Sequence, residues 1–182
     1  MSKITTKQIV FSAMAIALAT VISVAIKLPS LPNGGSTTLF SMLIVCLIGY
    51  WYGPKVSLIA AIAYGILQFI VGPYVVHPLQ VILDYPLAFG ALGLSGFFAN
   101  SKHGLIKGFL VGAGGRFIVH CISGVIFYTT YVGDFVGNVS AIWAGILYNM
   151  TYIVPEVILT LILLALPPVQ KAMSELKKLA VN

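Results

Sequence analysis

Long apolar runs separated by short punctuated breaks dominate the chain. With Pro, Gly and charged residues taken as the breaks, the runs fall near 5–27, 36–52, 54–72, 78–99, 104–129 and 141–166. About 20 apolar residues in a helix cross the hydrocarbon of a bilayer, and fewer suffice inside a bundle. The pattern therefore predicts an all-α integral membrane protein, a bundle of six transmembrane helices forming a single membrane domain over 1–182. No internal repeat, low-complexity tract or charge-dense linker divides it. The connection LPSLPNGGSTT is broken by Pro29, Pro32, Gly34 and Gly35, and is expected to be irregular, at a surface or over a cavity. Lys3 and Lys7 precede the first run as they would in a signal peptide. That run is of span length and more follow, so an uncleaved first helix is expected.

Composition agrees: 59% of the 182 residues are hydrophobic and 8% charged, against about a quarter charged in soluble domains, and the mean hydropathy is +1.04. The net charge of +6 does not point to nucleic acid, because the basic residues sit at the ends of runs and form no stripe with aromatics. They carry an orientation signal instead. With the N-terminus in the cytoplasm, Lys3, Lys7, Lys55, Lys102, Lys107, Lys171, Lys177 and Lys178 lie inside and Lys27 alone outside, which places both termini in the cytoplasm. Loops 28–35, 73–77 and 130–140 then face out. The end, QKAMSELKKLAVN, reads as a short basic interfacial tail. Cys46 and Cys121 lie inside apolar runs with no CxxC spacing, as small core residues, and no metal or cofactor site is expected.

Against so apolar a background the few polar positions carry the chemistry. Asp84 falls about 10 Å below the outer end of the fourth run, His120 about 14 Å below that of the fifth and Asn149 about 12 Å below that of the sixth. Each alone could be a satisfied packing residue; three in one layer suggest a site. His120, Gly124 and Tyr128 follow at i, i+4 and i+8, offering a polar ring, a gap against which a flat ligand could lie, and an aromatic near the mouth. Gln80 and Asp84 are similarly spaced, with Tyr85 adjacent. Tyr74, Tyr128, Trp143 and Tyr148 are read either as an interfacial aromatic belt or as a cage for a cationic ring. Deeper, about 20 Å from the outer face, Arg116 and Glu156 are expected to approach each other as a structural ion pair or to share a relay. In the first run Ala13/Ala17 and Ala15/Ala19 repeat at four, a small-residue pattern suited to docking a partner helix.

Two functional classes compete. Gly93-Leu94-Ser95-Gly96 matches the GxSG of rhomboid-like intramembrane serine proteases, with His120 as the available base. Ser95, however, lies about 25 Å from the outer end of its run, far below His120, so a direct nucleophile–base hydrogen bond is not expected. No P-loop is present, and neither repeats nor broken helices mark an autonomous carrier. The residues describe a binder that needs help to transport.

LPNGGSTT in the first loop, HPLQVILDYPLAFGALGLSGFFA in the fourth run, RFIVHCISGVIF in the fifth and YNMTYIVP in the sixth together resemble the thiamine-specific substrate-binding (S) components of energy-coupling factor transporters. The resemblance covers nearly the whole chain. It implies six helices in a prokaryotic plasma membrane, no enzymatic activity of the chain itself, and high-affinity capture of thiamine in an outward-facing pocket. Delivery would pass through a membrane T component and two ATP-binding subunits, docked on Ala13, Ala15, Ala17 and Ala19. It assigns Asp84 to the acidic position that meets the aminopyrimidine, with Tyr85 beside it. His120 and Asn149 complete the polar contacts, Gly124 and Tyr128 flank a ring, and Tyr74 lies in a lid near the thiazolium. Some relatives have Glu at the position of Asp84 and Tyr at that of Ala144, where Trp143 could substitute. An aromatic of their first loop is absent here. An S component for a related pyrimidine or vitamin stays the alternative ligand class.

Overall fold

The structure, a computed structural model, describes residues 3–26, 35–127 and 138–182. It is all-helical. Helix α1 (Thr6–Ala25) opens with a capping box: the Thr5 hydroxyl accepts from Gln8 N–H at 3.3 Å, and the Gln8 side chain accepts from Thr5 N–H at 3.0 Å. Helix α2 is short, Ser41–Tyr52. It begins five residues later than the apolar pattern suggests because Phe40 adopts a left-handed conformation, φ 67°, which a helix interior cannot contain. Gly53, at φ 80°, then turns the chain, and Pro54 opens α3 (Pro54–Val71).

The next element, α4 (Pro78–Phe98), is a composite rather than one regular helix. An α-turn at Pro78–Ile82 leads into a π-helical segment at Leu83–Leu87, an α-turn at Ala88–Gly90 and a 3₁₀ segment at Ala91–Phe98. Pro86 explains the wide turn. It has no N–H to donate, and its ring would strike the carbonyl four residues back. The ladder recovers when Ala88 N–H reaches Leu83 O, five residues away. Helix α5 (Gly104–Ile126) follows a left-handed His103, and α6 (Asn138–Ala165) contains Pro155. A seventh helix among the described residues, α7 (Pro167–Val181), forms where the sequence suggested only a tail. It packs through Ala180, whose carbonyl accepts from Tyr52 OH at 3.0 Å, and through Lys177, whose ammonium donates to Ala99 O at 2.7 Å and lies 3.9 Å from the Tyr50 ring centroid.

Five helices among the described residues are long and apolar enough to cross a membrane, and α2 is apolar but only 12 residues long. Five of the six expected spans are therefore matched by helices long enough to cross, and the run 36–52 by the shorter α2. Met42, Cys46, Tyr64, Leu92 and Phe109 form the centre of the core. Outward-facing Met14, Ile70, Phe97 and Ile118 are all more than half exposed, a surface that lipid solvates and water does not. The 3₁₀ segment is gripped tightly: a Cβ on Gly93 would lie 2.6 Å from Leu58 Cα, and one on Gly96 2.6 Å from Gly53 O. The GxSG sequence is thus a close-packing motif.

Candidate ligand-binding site

A cavity of about 530 Å³ opens among the C-terminal ends of α1, α3 and α5, the N-terminal ends of α4 and α6, and the segment 35–38. Its volume lies within the range usual for small-molecule pockets. Among the described lining residues Asp84 is the one carboxylate and Arg116 the one permanent cation, with Tyr74, Tyr85, Phe89, Tyr148 and Tyr152 supplying aromatic walls.

Asp84 and Tyr85 both belong to the π-helical segment, so the turn forced by Pro86 is the turn that presents them. One Asp84 oxygen accepts from Gln80 Nε2 at 2.7 Å; the other meets His120 Nδ1 at 3.1 Å. One turn deeper on α5, Arg116 Nε donates to His120 Nε2 at 3.3 Å, and the guanidinium lies 4.2 Å from the Phe89 ring centroid. A continuous polar chain, Gln80–Asp84–His120–Arg116, therefore crosses from α4 to α5.

The segments over the cavity are tied to its walls. Tyr85 OH donates to Gly72 O at 3.1 Å and accepts from Tyr74 N–H at 2.8 Å. Gln80 Oε1 accepts from Val76 N–H at 3.1 Å. On the other side Tyr148 OH accepts from Gly35 N–H at 2.8 Å, and Thr37 donates to Tyr152 O at 3.1 Å.

Of the residues singled out in the sequence, Asp84, Tyr85, His120, Asn149, Tyr74, Gly124, Gln80 and Tyr148 all line this cavity. Tyr128 lies outside the described residues. Trp143 does not line it: the side chain is 60% exposed and the neighbouring Ala144 takes the wall position, as a step of about 100° around the helix requires. Asn149 is satisfied within α6, donating to Gly145 O at 2.8 Å and accepting from Tyr152 OH. Gly124 lies beside Gly145 at the cavity wall, and a Cβ there would meet Gly145 Cα at 3.5 Å, an ordinary contact, so the approach of α5 and α6 does not require a glycine at this position.

Arg116 and Glu156 do not form the expected ion pair. Among the described residues the ion pair between permanent charges is Lys178–Glu175, and His120 meets Asp84 at 3.1 Å as a hydrogen-bond partner. Arg116 is turned to His120, while Glu156 caps the start of α2, accepting from Met42 N–H at 3.1 Å and from the Thr38 and Ser41 hydroxyls at 3.4 Å each. Phe40 cannot cap that helix, so a residue from α6 does. The alanines of α1 also divide. Ala15 and Ala19 are buried, at 6% and 0% exposure, and Ala13 and Ala17 face outward. Pairs offset by two residues lie about 200° apart on a helix, so the four cannot share a docking face. Ser95 donates to Cys46 O at 3.3 Å and approaches Ser57 Oγ at 3.5 Å, while His120 is occupied by Asp84 and Arg116, so Ser95 and His120 do not form a nucleophile–base pair. Sequence reasoning missed Ser23, Gln68 and Ser123, which add polar atoms to the wall. Gln68 Nε2 donates to Ser23 Oγ at 2.9 Å, a contact between helices with no local signature.

Residues 9–176 match the family described as Thiamine transporter protein. The chain is 32% identical over 152 residues to the thiamine transporter ThiT of Bacillus subtilis, covering 75% of this chain and 77% of that one. It is 34% identical over 89 residues to ThiT of Lacticaseibacillus paracasei, covering 40% and 44%. A solved structure of ThiT from Listeria monocytogenes shares the fold, with a TM-score of 0.58 over 96% of this chain and 91% of that one at 21% identity.

Proposed function

The chain belongs to the thiamine transporter protein family, and from that premise we propose that it is a thiamine-binding S component of an energy-coupling factor importer. The observation that carries this reading is Asp84, the lone carboxylate among the described residues of an aromatic-walled cavity. A carboxylate has about four acceptor positions; Gln80 and His120 use two, and the others remain for a ligand. Thiamine joins a permanently cationic thiazolium to an aminopyrimidine with N–H donors. A buried anion meets both needs, and Tyr148 and Tyr152 offer faces to flat rings.

The proposed orientation has six membrane-crossing segments, counting the short α2, and both termini in the cytoplasm, since Lys-bearing ends and α7 lie away from the cavity. The cavity then opens outward from a prokaryotic plasma membrane. Thiamine enters, the segments tied to Tyr85, Gln80 and Tyr148 close over it, and a T component with two ATP-binding subunits drives its release inside. The chain itself hydrolyses nothing. Its exposed Ala13 and Ala17 offer α1 a close contact with that module.

Calorimetric titration of the detergent-solubilised protein tests the ligand. One saturable site for thiamine, with the same mass seen on the protein by native mass spectrometry, is expected; absence of binding overturns the reading. Retention of the T and ATP-binding subunits on the purified protein tests the partner steps separately.

A further inference from the structure

We infer that Arg116 is a positioning residue for this binding site, fixing His120 as the neutral tautomer that donates from Nδ1 to Asp84. The inference rests on the proposed function only for the identity of the ligand.

A guanidinium has no acceptor atom, so in the 3.3 Å contact between Arg116 Nε and His120 Nε2 the imidazole nitrogen must accept. A ring nitrogen that accepts carries no proton. The remaining proton of a neutral imidazole is then on Nδ1, where the 3.1 Å contact gives it to Asp84 Oδ1. Both ring nitrogens are thereby spent. His120 can become a cation only by taking a proton on Nε2, directly against the guanidinium of Arg116.

The groups facing His120 agree with this reading. Asp84 approaches from α4, Arg116 from its own helix, and the Tyr152 ring from α6 at 6.2 Å between centroids. Phe89 of α4 closes the fourth side at 6.3 Å. Beyond them, Tyr64 of α3 and Glu156 of α6 lie within reach of Arg116's field. Arg116 is itself 6% exposed, pinned against Phe89, and so keeps its direction. The consequence is electrostatic. With His120 neutral, Asp84 presents its full negative charge to the cavity; an imidazolium there would cancel it and repel a cationic ligand. Arg116 acts through His120 and needs no contact with the ligand.

Two measurements test this. Nitrogen-15 NMR of the histidine-labelled protein, with His120→Asn for assignment, should show a protonated Nδ1 and an unprotonated Nε2 for His120. A protonated Nε2 overturns the inference whether or not thiamine binds, which separates it from failure of the functional reading. Thiamine titrations between about pH 6 and pH 8 should show constant affinity for the unaltered protein. Arg116→Met, similar in length but without a donor, should lose up to about tenfold per unit as pH falls through the freed imidazole's range. A flat profile in that variant overturns the inference.

Discussion

Asp84 and His120 stand 3.1 Å apart across the α4–α5 boundary, although 36 residues separate them. The contact depends on a local irregularity. Pro86 forces the π-helical turn that holds Asp84, and the carbonyl of Tyr85 lies against Gly65 of α3, where any side chain would collide. A proline, a glycine and a wide turn thus aim one carboxylate into the cavity.

Asp84→Asn should weaken thiamine binding by roughly 2–5 kcal/mol, the cost of removing one partner of a buried charge interaction. The shape is kept and the charge lost, so the effect separates electrostatics from packing. Calorimetry on the purified variant measures it; unchanged affinity would remove Asp84 from the site.

Gln80 joins the carboxylate to the segment above the cavity, donating to Asp84 at 2.7 Å and accepting from Val76 N–H at 3.1 Å. Gln80→Leu preserves volume but severs both. About 1–3 kcal/mol of binding should be lost, chiefly as faster thiamine release, which stopped-flow fluorescence resolves.

The apolar pattern made most helices legible because span length is set by the bilayer and not by the neighbours. Asp84, His120 and Asn149 were legible as candidates for one site for the same reason, and all three line one cavity. The partner of Arg116 was not. Depth counted along Cα atoms put Arg116 one turn below His120, and a long side chain spans that turn. Glu156 reaches α2 through a contact 114 residues apart, which no local pattern encodes. For Trp143 and Ala144 the position along the helix left the azimuth unresolved, because neighbouring residues share a level while pointing about 100° apart.

Glycine positions of equal sequence appearance should respond differently. Gly93→Ala drives a methyl to 2.6 Å from Leu58 Cα, whereas Gly124→Ala meets its neighbours at 3.5 Å, ordinary contact. The first should cost about 1–3 kcal/mol and lower the thermal midpoint in detergent; the second should leave it nearly unchanged.

Lys177 and Lys178 are adjacent but unequal. Lys177 caps the α4 terminus at Ala99 O and covers Tyr50, and partial burial lowers the pKa of its ammonium. Lys178 pairs with Glu175 in solvent, at 63% and 56% exposure. Lys177→Met should destabilise by about 1–2 kcal/mol and Lys178→Met by well under about 1 kcal/mol. Protease nicking of α7 reports the difference.

Glu156 offers the sharpest separation of charge from hydrogen bonding. Its carboxylate accepts the Met42 N–H at the start of α2, where Phe40 supplies no side-chain cap, and the hydroxyls of Thr38 and Ser41. Helix N-termini favour an acceptor and favour negative charge further. Glu156→Gln keeps an acceptor oxygen for Met42 and removes the charge; Glu156→Leu removes both and leaves a buried N–H without a partner. The cap alone is worth about 1–2 kcal/mol, so the Leu variant should fall below the Gln variant by about that much in thermal stability. The two should differ most in thiamine binding if segment 35–38, which lines the cavity, loses its anchor with the cap. Equal stability of the two variants would show that α2 is held by packing alone.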